Sequence, residues 1–112
     1  MKIIKDKITL NELKQMSAMF GNMVKAVIDT DRELIAVDAE LHSDLEALLI
    51  DNGSKQKDIW GVNFYPEIQG EDFIEFDSMI NIRPSQNNRS RGVDNEQTRE
   101  KILEVVKRKV SR

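Results

Sequence analysis

Two apolar runs, one carrying Val24, Ala26 and Ile28 and the other spanning residues 34–37, are separated only by the polar stretch Thr30, Asp31, Arg32, Glu33. So short a link can join antiparallel neighbours but not parallel ones, which need a crossover of a dozen residues or more. The pattern returns later in the chain. Residues 59–65 place Trp60, Val62 and Phe64 on one parity before Pro66, and residues 73–83 alternate Ile74, Phe76, Ile80 and Ile82 with Glu75, Asp77, Asn81 and Arg83. The latter run is long for one strand, since about 5–6 residues is usual, and a bend or bulge is expected near Asp77-Ser78.

Helical spacing occupies the remainder. Thr9 with Glu12 forms a capping-box pattern ahead of Leu10, Leu13, Met16 and Phe20, which predicts a helix over 10–20 stopped by Gly21. Leu41, Leu45, Leu48 and Leu49 make a second stripe, with Ser43 and Glu46 able to cap its start and Asn52-Gly53 to close it. Asp94 with Gln97 resembles the cap of a third helix carrying Ile102, Leu103, Val106 and Val110 and ending in basic residues. The order helix, hairpin, helix, hairpin, helix predicts a single α+β domain over 1–112: an antiparallel sheet of four to five strands with three helices, mainly on one face.

Composition narrows function by exclusion. A net charge of −3 provides no bulk attraction for a polyanion, and the absence of cysteine removes disulfide scaffolds, thiol catalysis and cysteine-ligated zinc. No apolar run approaches the ~20 residues a membrane helix needs, so a cytoplasmic protein without a membrane partner is expected. Walker, GxGxxG, GxSxG and CxxC patterns do not occur, and no metal or other cofactor is implied.

The strongest pointer to a ligand is the loop over residues 84–93, longer than the usual 2–6 residue connection. Arg83, Arg89 and Arg91 carry planar forks suited to phosphate or carboxylate, while Ser85, Gln86, Asn87, Asn88 and Ser90 add neutral donors. A solvated loop whose arginines pair with the acidic residues of 67–77 explains the same composition. Beside it in sequence, Glu75, Asp77, Asn81 and Arg83 on the polar strand parity, joined across the hairpin by Asn63 and Tyr65, form a second candidate face. The wet side of a one-sided sheet is the plainer account of that face. His42, the only histidine, lies between Glu40 and Asp44. An imidazole flanked by two carboxylates can move a proton, although acids near a helix start also suit a capping or surface role, and the spacing is not that of a two-histidine zinc helix.

The strings ELHSDLEALL, GSKQKDIWGVNFYP and FIEFDSMINIRPSQNNRS resemble a family of small prokaryotic proteins known only as a domain of unknown function, over residues 23–90. The resemblance implies a stand-alone small soluble protein and supplies no catalytic residues. Where the family carries a glycine at or beside position 88, this chain has Asn88.

Two functional classes follow. The first is a binding or interaction module that recognises a small anionic ligand through Arg83, Arg89 and Arg91. Nucleic acid is a weaker candidate partner, given one tryptophan, one tyrosine and four phenylalanines for stacking. The second is a small hydrolase or transferase acting on a phosphate-bearing substrate, with His42, Glu40, Asp44 or Asp77 as acid or base. Convergence of His42 and Asp77 on a pocket lined by the loop favours the second. A homodimer through a sheet face or edge would require a contiguous apolar patch.

Overall fold

The computed structural model describes residues 1–18 and 21–111. The first predicted hairpin forms as β3 (Val24–Asp29) and β4 (Leu34–Val37), paired antiparallel with Ile28 opposite Ile35. Its turn is held by the buried Asp29 carboxylate, whose Oδ1 accepts from the backbone N–H groups of Asp31 and Arg32, each at 2.9 Å. Strand β5 (Ile59–Phe64) lies on the other side of β3, so the central strand is β3. Two short strands complete the sheet edges: β1 (Lys2–Ile4), which the hydrophobic pattern did not announce, beside β4, and β6 (Ile74–Glu75) beside β5. The order is β1-β4-β3-β5-β6, antiparallel throughout.

Helices cover both faces. Val24, Ala26 and Ile28 with Trp60, Val62 and Phe64 pack against Leu13 of α1 (Leu10–Ser17) and Ile102, Val105 and Val106 of α3 (Glu96–Lys109). Val27, Ala36 and Ile59, on the opposite parity, pack against Leu45 and Leu49 of α2 (His42–Asp51). Burial on both faces explains why β3 and β4 read as near-continuous apolar runs. It also corrects the expectation of helices mainly on one face.

Several further expectations are corrected. The chain opens with strands, because β1 and β2 (Ile8–Thr9) precede α1, and β2 pairs in parallel with β7 (Val110–Ser111) directly after α3. The Thr9–Glu12 capping box is present; α1 ends at Ser17, and Phe20 lies outside the described residues. Neither Ser43 nor Glu46 caps α2, whose N-cap is Leu41 with no side-chain bond. Asn95, not Asp94, caps α3 by accepting from the Thr98 N–H at 2.9 Å. The long strand predicted over 73–83 is only β6; beyond it the chain turns through 3-10 segments at Met79–Asn81 and Pro84–Gln86. No helix among the described residues is long and apolar enough to cross a membrane.

Candidate functional site

The loop and the strand face, two adjacent candidates in the sequence, are both rearranged by the structure. Arg83 is buried, its guanidinium lying 4.8 Å from the Trp60 ring centre, and nearly every donor is taken by the protein. Nε donates to the Ile80 carbonyl at 3.0 Å, Nη1 to Gln56 at 2.7 Å, and Nη2 to Ile59 at 2.7 Å and to Glu46 Oε2 at 3.4 Å. Burial pulls its pKa down and the Glu46 carboxylate opposes that pull. Asn81 is fully buried as well. Its Oδ1 accepts from the Gly61 N–H at 2.8 Å and its Nδ2 donates to the Gly61 carbonyl at 2.9 Å, so one amide side chain continues the sheet where β6 has ended. Gly61 is required for this approach, because a Cβ there would sit 2.6 Å from Ser78 Cβ.

Asn88, also buried, donates through Nδ2 to the carbonyls of Asn81 at 2.7 Å and Gly92 at 2.8 Å, while its Oδ1 accepts from the Asp94 N–H at 2.8 Å. Asn87 takes the left-handed conformation at φ 61°, a backbone state that asparagine tolerates better than most residues other than glycine. Ser90 donates to Asp94 at 2.6 Å, an interaction that lowers the Asp94 pKa, and Gln86 donates to the Lys57 carbonyl at 3.2 Å. Ser85 and Arg89 are exposed. The three arginines are therefore not brought together: Arg83 is interior, Arg89 projects from the surface, and Arg91 pairs with Asp77 through an Nε–Oδ1 contact of 2.5 Å.

A different grouping does converge. The register sets Lys25 opposite Asn63 and Asn63 opposite Glu75, so these three residues form a row across β3, β5 and β6. Their parity is that of the α2 face, and at the start of α2 the row is left open as a cleft of about 490 Å³. His42, Tyr65, Asp77 and Arg91 also line it.

His42 is buried, contrary to its expected capping or surface role, because the start of α2 passes over β5. Its Nε2 lies 2.8 Å from the Val62 carbonyl oxygen. Since a carbonyl can only accept, Nε2 carries the proton and Nδ1 holds a lone pair, which has no hydrogen-bond partner among the described residues. Burial lowers the His42 pKa, with Lys25 and Arg91 adding to the effect, while the Val62 carbonyl and Asp77 oppose it. The imidazole is thus neutral near pH 7.

The carboxylate of Glu75 is held by neutral donors: Asn63 Nδ2 at 2.9 Å and the Tyr65 hydroxyl at 2.8 Å, the latter bond raising the Tyr65 pKa. Asn63 Nδ2 also reaches the Asp77 carbonyl at 3.2 Å, which fixes the amide orientation. Its Oδ1 is enclosed and has no hydrogen-bond partner among the described residues. Lys25 makes no ion pair among the described residues.

Of the residues singled out in the sequence, His42, Asn63, Tyr65, Glu75, Asp77 and Arg91 meet at this cleft. Glu40 borders a smaller neighbouring recess with Lys25, Asp44 is exposed, and Asn81 is interior. No cluster of three histidine, cysteine or acidic residues suited to a metal ion occurs among the described residues. Lys25 was missed as a site residue, although a single cation inside the run VKAVID was a signal that the strand has an open position.

Residues 2–109 match the family described as Protein of unknown function (DUF5674). The chain belongs to this family. No curated protein and no solved structure matches it. The DUF5674 match spans β1, every helix and the cleft, and so extends the likeness that the central strings carried.

Proposed function

We propose that the protein binds a small ligand bearing a carboxylate or phosphate in the cleft at the start of α2. The observation that carries this reading is the meeting at one cleft of Lys25, which has no ion pair among the described residues, the Arg91 guanidinium and the uncapped N-terminus of α2. Backbone N–H groups at a helix start and two cations favour an anion, and walls of low polarizability strengthen the attraction. The arginine-rich loop supports the reading through Arg91 alone, because the Arg83 donors are taken by carbonyls and Glu46.

Acetate and inorganic phosphate test it. Each should raise the melting temperature beyond an equal ionic strength of chloride, since a ligand at a hundredfold its Kd stabilises the native state by about 2.7 kcal/mol. Lys25→Met should reduce that increment while leaving the fold intact. Identical responses to chloride, acetate and phosphate would remove the proposal.

A second reading, acid–base chemistry on a phosphate-bearing substrate, is favoured by the free lone pair of His42 Nδ1 in the wall of the same cleft. His42→Gln separates the two: a binding protein keeps its response to anions, whereas a hydrolase or transferase keeps binding and loses turnover.

A further inference from the structure

We infer that the ligand of this cleft is a small zwitterion of the amino-acid type, its anionic end held by Lys25 and its ammonium end by Glu75. The inference rests on the cleft reading above and deepens it. Lys25 and Glu75 occupy neighbouring strands on either side of Asn63, and no ion pair involves either of them among the described residues. Strands lie about 4.8 Å apart, so the two side chains start roughly 10 Å from each other and stand as separate poles. Between them Asn63 is 4% exposed, with both Nδ2 hydrogens committed to Glu75 and the Asp77 carbonyl. Together with the Tyr65 hydroxyl, Asn63 holds Glu75 through Oε1, so Glu75 Oε2 is left with no hydrogen-bond partner among the described residues.

A simple anion sits near a carboxylate it repels, whereas an ammonium group donates to Glu75 Oε2 and neutralises it. Asp77 and Arg91 pair with each other and leave the balance of charge unchanged. With His42 neutral, the lining carries Lys25 and Arg91 against Glu75 and Asp77, so it is balanced but polarised.

The full-length protein titrated with glycine, γ-aminobutyrate, acetate, glycolate and ethylammonium, followed by the NMR signals of the single imidazole and of the Asn63 side-chain amide, tests this. Glycine or γ-aminobutyrate should bind at least about tenfold tighter than acetate or ethylammonium, a factor worth about 1.4 kcal/mol. Glu75→Gln, which preserves an acceptor for Tyr65 and Asn63, should abolish the advantage without weakening acetate binding. Acetate binding equal to that of both amino acids would overturn the zwitterion and leave the anion cleft standing. Glycolate matching the amino acids would assign the donor to a hydroxyl and likewise overturn it. Absence of a response to every probe would remove both.

Discussion

The loop over residues 78–94 and the cleft beside it are made from similar residues, arginine, asparagine and serine with nearby carboxylates, yet their hydrogen bonds point in opposite directions. In the loop, Asn81, Arg83 and Asn88 turn inward and satisfy backbone groups of Gly61, Ile59, Gln56 and Gly92. In the cleft, Lys25, His42 Nδ1 and Asn63 Oδ1 are left without partners among the described residues. An arginine-rich sequence is therefore not by itself an anion site: a guanidinium is equally suited to gathering carbonyls where a sheet stops. The proposed ligand site rests on the unsatisfied polar groups and not on the most basic segment.

The comparison breaks most visibly at Arg83. Arg83→Met should cost about 3–5 kcal/mol, because it leaves carbonyls of three residues and the Glu46 carboxylate without their donor, which outweighs any gain in apolar packing on Trp60. A denaturant midpoint near wild type would show that the loop is held by other bonds. Gly61→Ala comes next, at about 1–3 kcal/mol, since Ser78 must move to admit the new methyl group. Urea unfolding checks it, and a neutral result would mean that Asn81 and Ser78 can retreat without loss.

On the cleft side the effects on stability are smaller and depend on pH. His42 has a lowered pKa in the folded state, so below its unfolded pKa of about 6.5 the unfolded chain binds the extra proton. Stability from this group is complete above that pH and declines as pH falls toward the folded value. His42→Gln can still donate to the Val62 carbonyl and should flatten this acid decline while changing neutral-pH stability by less than about 1 kcal/mol. Unfolding curves between pH 7.5 and 5 decide it, and an unaltered slope would assign the decline to other groups. Smallest is Arg91→Met, at about 0–1 kcal/mol, because its pair with Asp77 is solvent-exposed. A loss comparable to that of Arg83→Met, measured in the same denaturant series, would erase the distinction between loop and cleft.

The parts of the fold legible in the sequence were the local ones. The β3–β4 hairpin, the Thr9–Glu12 cap and the end of α2, where Gly53 takes φ 99°, each depend on residues close together in the chain. Strand β1 was not legible, because Lys2–Ile4 is too short for a period and is defined by pairing with β4. The alternation over 73–83 misled for a related reason. Asn81 and Arg83 have the polar parity of a wet strand face, but their partners at Gly61, Gln56 and Ile59 lie at least 20 residues away in sequence. At the candidate site, the polar residues of β5 and β6 and the single histidine were visible. Their meeting with Lys25 was not, since it follows from placing β3 between β4 and β5.

The parallel bridge between β2 and β7 sets Ile8 beside Val110 and Thr9 beside Ser111, and Lys109 Nζ reinforces it by donating to the Lys5 carbonyl at 2.7 Å. On a ribosome this clasp cannot close until Val110 has emerged, about a hundred residues after Ile8. At ordinary synthesis rates that is a wait of roughly 5–20 s. The hairpin of β3 and β4 is complete long before then. Because α1 begins at the residue after Thr9, its start is held both by its own Thr9–Glu12 cap and by a strand made about a hundred residues later.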